Sequence, residues 1–179
     1  MKATPTTTIS IATIALPKLG RTIIAASGRG ICGLALPDWN DHDLHLDHWR
    51  GVSVVRRGDP LITRAGDELR RFAAGTLRAF TVPIDLGPLP AFTARVLQTL
   101  LGVGYGRLIT YADLAAKAGS PRAARAVGQA VGRNPLPVIV ACHRVVACGR
   151  IGGFGLGLEA KRKLLAMEGV DLDDPALAD

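Results

Sequence analysis

The sequence predicts an α+β fold in two parts, and three observations carry that prediction. Residues 8–36 are runs rich in Ile, Thr and Ala, broken by turn formers, which is the pattern of short strands. Residues 91–168 repeat apolar side chains at helical spacing. Between the two, residues 81–90 concentrate Pro83, Gly87, Pro88 and Pro90, a linker composition. The expected division is a small α/β subdomain with an antiparallel sheet over 1–88 and a mainly helical subdomain over 91–179.

In chain order, 8–16 and 20–27 read as strands. Ser27-Gly28-Arg29-Gly30 separates them from a hairpin partner at Ile31–Leu36. Pro37-Asp38 breaks the run, Asp41–Trp49 reads as a helix and Gly51–Arg57 as a further strand. Leu69, Phe72 and Ala73 give Asp67–Ala74 a helical face. Phe92, Val96, Leu97, Leu100 and Leu101 share one face of a helix over about 91–102. Thr110 followed by Asp113 is a helix start, with the carboxylate at the positive end of the dipole. Ser120-Pro121 supplies an N-cap and a first-turn proline for the next helix, which runs to about Gly132. Two short helices joined through Gly119-Ser120 form a helix-turn-helix pattern, which serves either as a packing unit or as a DNA reader. A last helix covers roughly 158–168.

Composition narrows the classes. Apolar residues are 48% of the 179 and charged residues 21%, enough for a buried core and against disorder. Three cysteines, Cys32, Cys142 and Cys148, do not make a disulfide framework, so a reducing cytoplasm is expected. The apolar run Ile9–Leu16 is too short to span a membrane and reads as a strand. The net charge of +7 is unevenly spread. Residues 91–163 hold eleven Lys/Arg against two acids, a balance of +9, whereas 164–179 hold five acids and no Lys/Arg. The helix pair lies within the basic stretch, which favours the DNA reading over a generic charged face.

The chemistry-bearing run is Asn134-Pro135-Leu136-Pro137-Val138-Ile139-Val140-Ala141-Cys142-His143-Arg144-Val145-Val146. Val138–Val140 reads as a short buried strand. A thiolate is the reactive form of cysteine, and a neighbouring basic group raises its population, so Cys beside His is the chemistry of an activated nucleophile. Adjacent side chains on a straight strand face opposite ways, so the chain must turn here, or a water must bridge the pair.

Asn-Pro-x-Pro-x-x-x-x-Cys-His-Arg-Val, with Gly152-Gly153-Phe154-Gly155-x-Gly157-Leu158-x-x-Lys161 after it, resembles the O6-alkylguanine-DNA alkyltransferases. These are also called methylated-DNA–protein-cysteine methyltransferases. The likeness runs back through Ala123-Ala124-Arg125-Ala126-Val127-Gly128, Tyr111-Ala112-Asp113-Leu114-Ala115 and Tyr105-Gly106, and covers 91–170. It implies a ribonuclease H-like N-terminal subdomain and a winged-helix-like helix-turn-helix in the C-terminal one. It also implies irreversible, single-turnover transfer of the alkyl group of O6-alkylguanine, and of O4-alkylthymine as a further substrate, to Cys142. No diffusible cofactor is required. The partner implied is double-stranded DNA read through the minor groove with the damaged base flipped out. The protein is expected to act as a monomer, cytoplasmic and nucleoid-associated, with no membrane attachment.

The resemblance assigns roles by position. His143, Tyr111 and Asn134 join Cys142 in the chemistry. Arg125 enters the base stack, and Thr110, Arg122, Ala123, Ala124 and Arg133 lie along the DNA. Val145, Val146, Phe154, Gly155 and Leu156 line the alkyl pocket, and Arg144 braces the loop. Three positions depart from the family pattern. Ala141 replaces the usual proline before the nucleophile. Leu156 stands where many members have glycine, at the expected pocket mouth. Arg162 falls where a glutamate is expected on the last helix, with Glu159 as the nearest substitute. His42, His45 and His48 stand three residues apart among aspartates and are read as a solvated helix face that holds no metal. The alternative reading is a lesion sensor that binds without transfer, but such relatives replace the cysteine.

Overall fold

The structure, a computed structural model, describes residues 7–39, 44–56 and 58–172. It divides into two compact units, one ending at Pro88 and one beginning at Leu89.

In the first unit, β1 (Thr8–Leu16), β2 (Gly20–Ala26) and β3 (Ile31–Ala35) form the expected antiparallel meander, with Ser10 opposite Ala26 and Ile24 opposite Leu34. A fourth strand, β4 (Ser53–Arg56), joins the far edge of β1 in parallel, giving the order β3-β2-β1-β4. Helix α1 (Pro60–Ala73) begins seven residues before the expected start. Asp59 caps it, accepting from the Leu61 N–H at 2.8 Å, and Pro60 occupies the first turn. Its inner stripe of Ile62, Ala65, Leu69 and Phe72 is buried. The helix expected over Asp41–Trp49 is not seen. Residues 40–43, His42 among them, lie outside the described residues, and 44–49 are irregular. Leu44, Leu46 and Trp49 pack against the Ile9, Ala25 and Cys32 cluster, so contact with the sheet shapes this segment. Two carboxylates tie this unit internally. Glu68 accepts from Thr81 Oγ1 and the Thr81 and Val82 N–H groups, and Asp85 accepts from Ser27, Arg29 and the Gly87 N–H. The segment expected as linker is therefore fastened to the first unit at Val82 and Asp85, both buried.

In the second unit, α2 (Ala91–Leu101) buries Thr93, Val96, Leu97 and Leu100 and leaves Leu101 exposed on its last turn. It is followed by β5 (Ile109–Thr110), α3 (Tyr111–Lys117), α4 (Ala124–Gly132), β6 (Val145–Val146) and α5 (Leu158–Met167). Thr110 caps α3 as expected, accepting from the Asp113 N–H at 3.0 Å. Ser120-Pro121 is instead a turn, closed by the Ala123 N–H on the Ser120 carbonyl at 2.9 Å, so α4 begins three residues later, without a side-chain cap. Val127, Ala130 and Val131 face the core formed with Leu97, Leu100, Leu114 and Ala115. No helix among the described residues is long and apolar enough to cross a membrane.

Candidate active site

The approach to Cys142 is a knot of turns, where a strand is expected over Val138–Val140. Asn134 is the reason. Its Nδ2 donates to the Val140 carbonyl at 2.7 Å and its Oδ1 accepts from the Leu136 N–H at 3.0 Å. One side chain thus satisfies two backbone groups inside the core and bends the chain between them. Val138 closes the bend at φ +74°, a left-handed conformation that costs a β-branched residue on the order of 1–3 kcal/mol. Full burial of Val138 among its neighbours holds it there. Ala141, in the usual proline position, has φ −74°, within the range a proline ring would fix. The fold imposes what the missing ring would otherwise impose.

Cys142–Arg144 then forms a short 3₁₀ turn, so the Cys142 and His143 side chains do not diverge as they would on a strand. Both are buried, and His143 completely. His143 Nε2 lies 2.7 Å from Glu168 Oε1, and Arg144 donates to both carboxylate oxygens at 2.9–3.2 Å and also to the Val103 carbonyl. The Gly106 N–H adds a further hydrogen bond to Glu168 at 2.8 Å. Burial pushes the Glu168 carboxyl up, but hydrogen bonds from His143 and Arg144 outweigh it and bring it down to about 2. The carboxylate is therefore ionised, His143 Nε2 carries the hydrogen, and Nδ1 is the free base. Among the described residues Nδ1 has no hydrogen-bond partner. Burial holds His143 below its usual range, so the ring is neutral near pH 7. Burial raises the Cys142 thiol, while Asn134, backbone N–H groups and the charge of Lys161 pull the other way.

Glu168 corrects the sequence reading. Glu159, the expected substitute, is exposed and pairs with Lys163 at 2.8 Å on the outer face of α5. Arg162 is half-buried within α5, six residues before the carboxylate, which lies one residue beyond the helix end. A signal for it exists in the sequence. Lys161, Leu164, Leu165 and Glu168 fall at i, i+3, i+4 and i+7, so the buried stripe of α5 carries charged residues at both ends. A charge on an apolar stripe is the anomaly to follow.

The remaining expected residues fall as follows. Parallel pairing of β5 with β6, Ile109 opposite Val145 and Thr110 opposite Val146, sets the start of α3 beside the segment after the cysteine. Tyr111 is half-buried there, its hydroxyl 3.3 Å from the Gly153 carbonyl, and burial raises its pKa. Val145 and Val146 are buried, Phe154 is half-buried and Gly155 exposed. Leu156 is only 4% exposed, so its side chain is part of the packing under the loop and does not stand at the mouth. Gly152 (φ +70°) is required on two counts, since a Cβ there would also meet the Ala147 nitrogen at 2.9 Å. Arg122, Arg125 and Arg133 are exposed on and around α4, and Ala123 and Ala124 are half-buried at its start. Cys148 is exposed. His45 and His48 lie on no helix, and no group of metal-binding residues occurs among the described residues.

A buried cysteine, a neutral histidine held by an ionised carboxylate, and a helix-turn-helix in the same unit define a protein that pairs nucleophile chemistry with a nucleic-acid-reading scaffold. The chain belongs to the methylated-DNA–protein-cysteine methyltransferase family. The family profile described as 6-O-methylguanine DNA methyltransferase, DNA binding domain, matches residues 91–170. A constitutive methylated-DNA–protein-cysteine methyltransferase of Bacillus subtilis is 36% identical over 162 residues, 87% of this chain and 93% of the relative. The methylated-DNA–protein-cysteine methyltransferase of Mycobacterium tuberculosis is 45% identical over 105 residues, 58% of this chain, and the match spans 63% of that relative. A crystal structure of Mycobacterium tuberculosis OGT in complex with DNA superposes with a TM-score of 0.76 at 34% identity, covering 89% of this chain and 93% of that one.

Proposed function

We propose that this chain repairs O6-alkylguanine in double-stranded DNA by taking the alkyl group irreversibly onto Cys142. The observation that carries the reading is the 2.7 Å contact between His143 Nε2 and the ionised Glu168, which leaves Nδ1 unprotonated beside the turn that presents the thiol. The thiol proton passes to Nδ1, directly or through one water, and the carboxylate stabilises the imidazolium. The thiolate attacks the alkyl carbon. The S–C bond forms as the C–O6 bond breaks, and the electron pair leaves with the guanine oxygen. The proton taken by His143 balances the step by returning to the base, which departs as guanine. Tyr111, which now faces the Gly153 carbonyl, is the donor for the purine during this departure.

The damaged base must leave the stack to reach a thiol this deeply buried. Arg125 on α4 is the residue that fills the gap, and Arg122 and Arg133 contact phosphates. The thioether is stable, so each chain acts once, and one copy holds every group the reaction uses. That relatives carry the methyltransferase name, and that one of them is seen with DNA, supports the reading.

The test is incubation with a duplex carrying one O6-methylguanine, followed by mass analysis of the peptide containing Cys142. A gain of one methylene on that peptide, with loss of the lesion, is expected. Tight binding to the lesion without the gain would establish a sensor instead. Arg125→Ala should weaken capture of the lesion duplex at least about tenfold while leaving alkylation of the free base O6-benzylguanine within about twofold, since only the first needs the base held out of the stack.

A further inference from the structure

Tyr105-Gly106 lies within the stretch that matches the family, yet the reaction just described gives the pair no role. Its surroundings supply one. Glu168, the carboxylate that serves His143, does not stand within α5. It is the C-cap residue, one position past Met167. The chain turns away there on Gly169, at φ +74°. The Val170 N–H reaches back to the Leu165 carbonyl and the Gly169 N–H to the Ala166 carbonyl, both at 3.0 Å, which is a Schellman closure of the helix. This is an unfavourable place for a carboxylate. The last carbonyls of a helix carry the negative end of its dipole, and Glu168 is too buried for water to screen them. The charge therefore depends on donors set around the cap.

Two adjacent residues supply donors on both sides of it. Tyr105 Oη donates to the Met167 carbonyl at 2.7 Å, the carbonyl directly before the Glu168 nitrogen. The Gly106 N–H donates to Glu168 Oε2 at 2.8 Å. Gly106 has φ +67°, and a Cβ there would meet the Glu168 carbonyl oxygen at 3.1 Å, so the loop backbone lies directly against the cap. Arg144 draws in the same loop by donating to the Val103 carbonyl. We infer that Tyr105 is a positioning residue for the transfer proposed above: its hydroxyl pins the end of α5 to the loop before β5, so that Glu168 meets Gly106 and His143 together. The tyrosine touches neither the thiol nor the histidine in this role. It fixes the backbone that carries the carboxylate. The contact it protects is a short one, 2.7 Å from Glu168 Oε1 to His143 Nε2, and a displacement of the cap by about 1 Å takes such a pair out of hydrogen-bond range. A phenylalanine would fill the same half-buried space and leave the Met167 carbonyl without this donor.

The test compares Tyr105→Phe and Gly106→Ala with the unaltered full-length protein, all three checked for folding by circular dichroism. Tyr105→Phe keeps the ring and removes only the hydroxyl, so it decides the matter if Gly106→Ala does not fold. Two quantities are measured. The first is the single-turnover rate of methyl transfer at saturating lesion duplex and pH 7, beside the Kd for undamaged duplex. The second is the pair of nitrogen-15 chemical shifts of the His143 ring, recorded without DNA. While Glu168 holds the ring, Nε2 keeps the hydrogen and the two nitrogens give well-separated signals. Once the hold loosens, the ring samples both tautomers and the signals approach each other. The expected result for Tyr105→Phe is converging signals and transfer slowed about fivefold, the factor that one neutral hydrogen bond contributes, with the Kd within about twofold. Gly106→Ala should move both readouts further in the same direction. Unmoved His143 signals in Tyr105→Phe, or transfer slowed by less than about twofold, overturn the inference, since a hydroxyl that served stability alone would lower only the Tm. The ring signals need no DNA, so they judge the role of Tyr105 even if the repair reading fails its own mass test.

Discussion

Each unit buries a cysteine beside a network of carboxylate hydrogen bonds, and the two sites behave differently. Cys32 is the second residue of β3, fully buried, with Asp85 as its charged neighbour. Burial and that negative charge push its thiol up to about 12, so it is an inert core residue. Cys142 is also buried and also raised, but its neighbours are donors and a cation: Asn134, two backbone N–H groups and Lys161. The carboxylates differ in the same way. Glu68 and Asp85 accept from groups of their own unit and stay below the usual carboxylate range although burial opposes it. Their networks end on hydroxyls, N–H groups and arginines of the same unit. Glu168 is as well bonded, yet its chain ends on His143 Nδ1, a base with no partner among the described residues. Burial alone does not make a reactive site. The sign of the nearest charge and the presence of one open proton acceptor do.

Removing the reactive thiol should separate the two sites most sharply. Cys142→Ala abolishes the methylene gain on the protein. Cys32→Ala keeps transfer within about twofold and costs roughly 1 kcal/mol by chemical denaturation, the loss expected for a small cavity. Loss of transfer in Cys32→Ala would mean that the buried thiol of β3 is not an inert core residue.

Next in size, Glu168→Gln should slow transfer on the order of 100-fold, because the carboxamide no longer holds the histidine as a base. It should also lower stability by up to about 3–5 kcal/mol, since the variant leaves Arg144 buried without its partner charge. Glu159→Gln, on the outer face of the same helix, should transfer at the unaltered rate. Single-turnover assays on the pair decide which glutamate belongs to the site, and equal slowing of both would return Glu159 to consideration.

In the first unit, Glu68→Gln is expected to cost about 1–3 kcal/mol of stability, because Thr81 and the buried Val82 N–H lose a buried charged acceptor. Transfer by the folded variant should be unchanged. A slowed rate would show that the carboxylates of the first unit are not merely structural.

The smallest effect is in acid. His143 titrates below its usual value in the fold, so the unfolded chain binds more protons once the pH falls below about 6.5, and stability drops with it. His48, lowered chiefly by burial, adds a change of the same sign. Glu168 then contributes a further loss from the usual glutamate range near 4.5 down toward about 2. Calorimetry between pH 7.5 and 5 should show a falling Tm, with a shallower slope in His143→Gln. An unchanged slope would mean that the ring is protonated in the folded protein.

Several elements of this fold were legible because their cause is local. Alternation with turn residues marks β1 to β3 closely, and Thr110 with Asp113 marks the start of α3. The helix expected over Asp41–Trp49 is not found in its described part, residues 44–49, because packing of Leu44 and Leu46 against β2 and β3 is a tertiary matter. Likewise Val138–Val140 is apolar enough for a strand, and only the two hydrogen bonds of Asn134 turn it.

By itself the sequence determined the fold class, the adjacent Cys142-His143 pair and the family, because residue type and spacing along the chain carry all three. Tertiary structure decided which carboxylate serves His143. Glu159 in the first turn of α5 and Glu168 just past its end are nine positions apart in sequence and differ in the side they face. The outer one meets solvent and a lysine. The inner one is brought against His143, Arg144 and Gly106 by packing between segments 24–62 residues distant along the chain, and a proton follows only contacts of that kind.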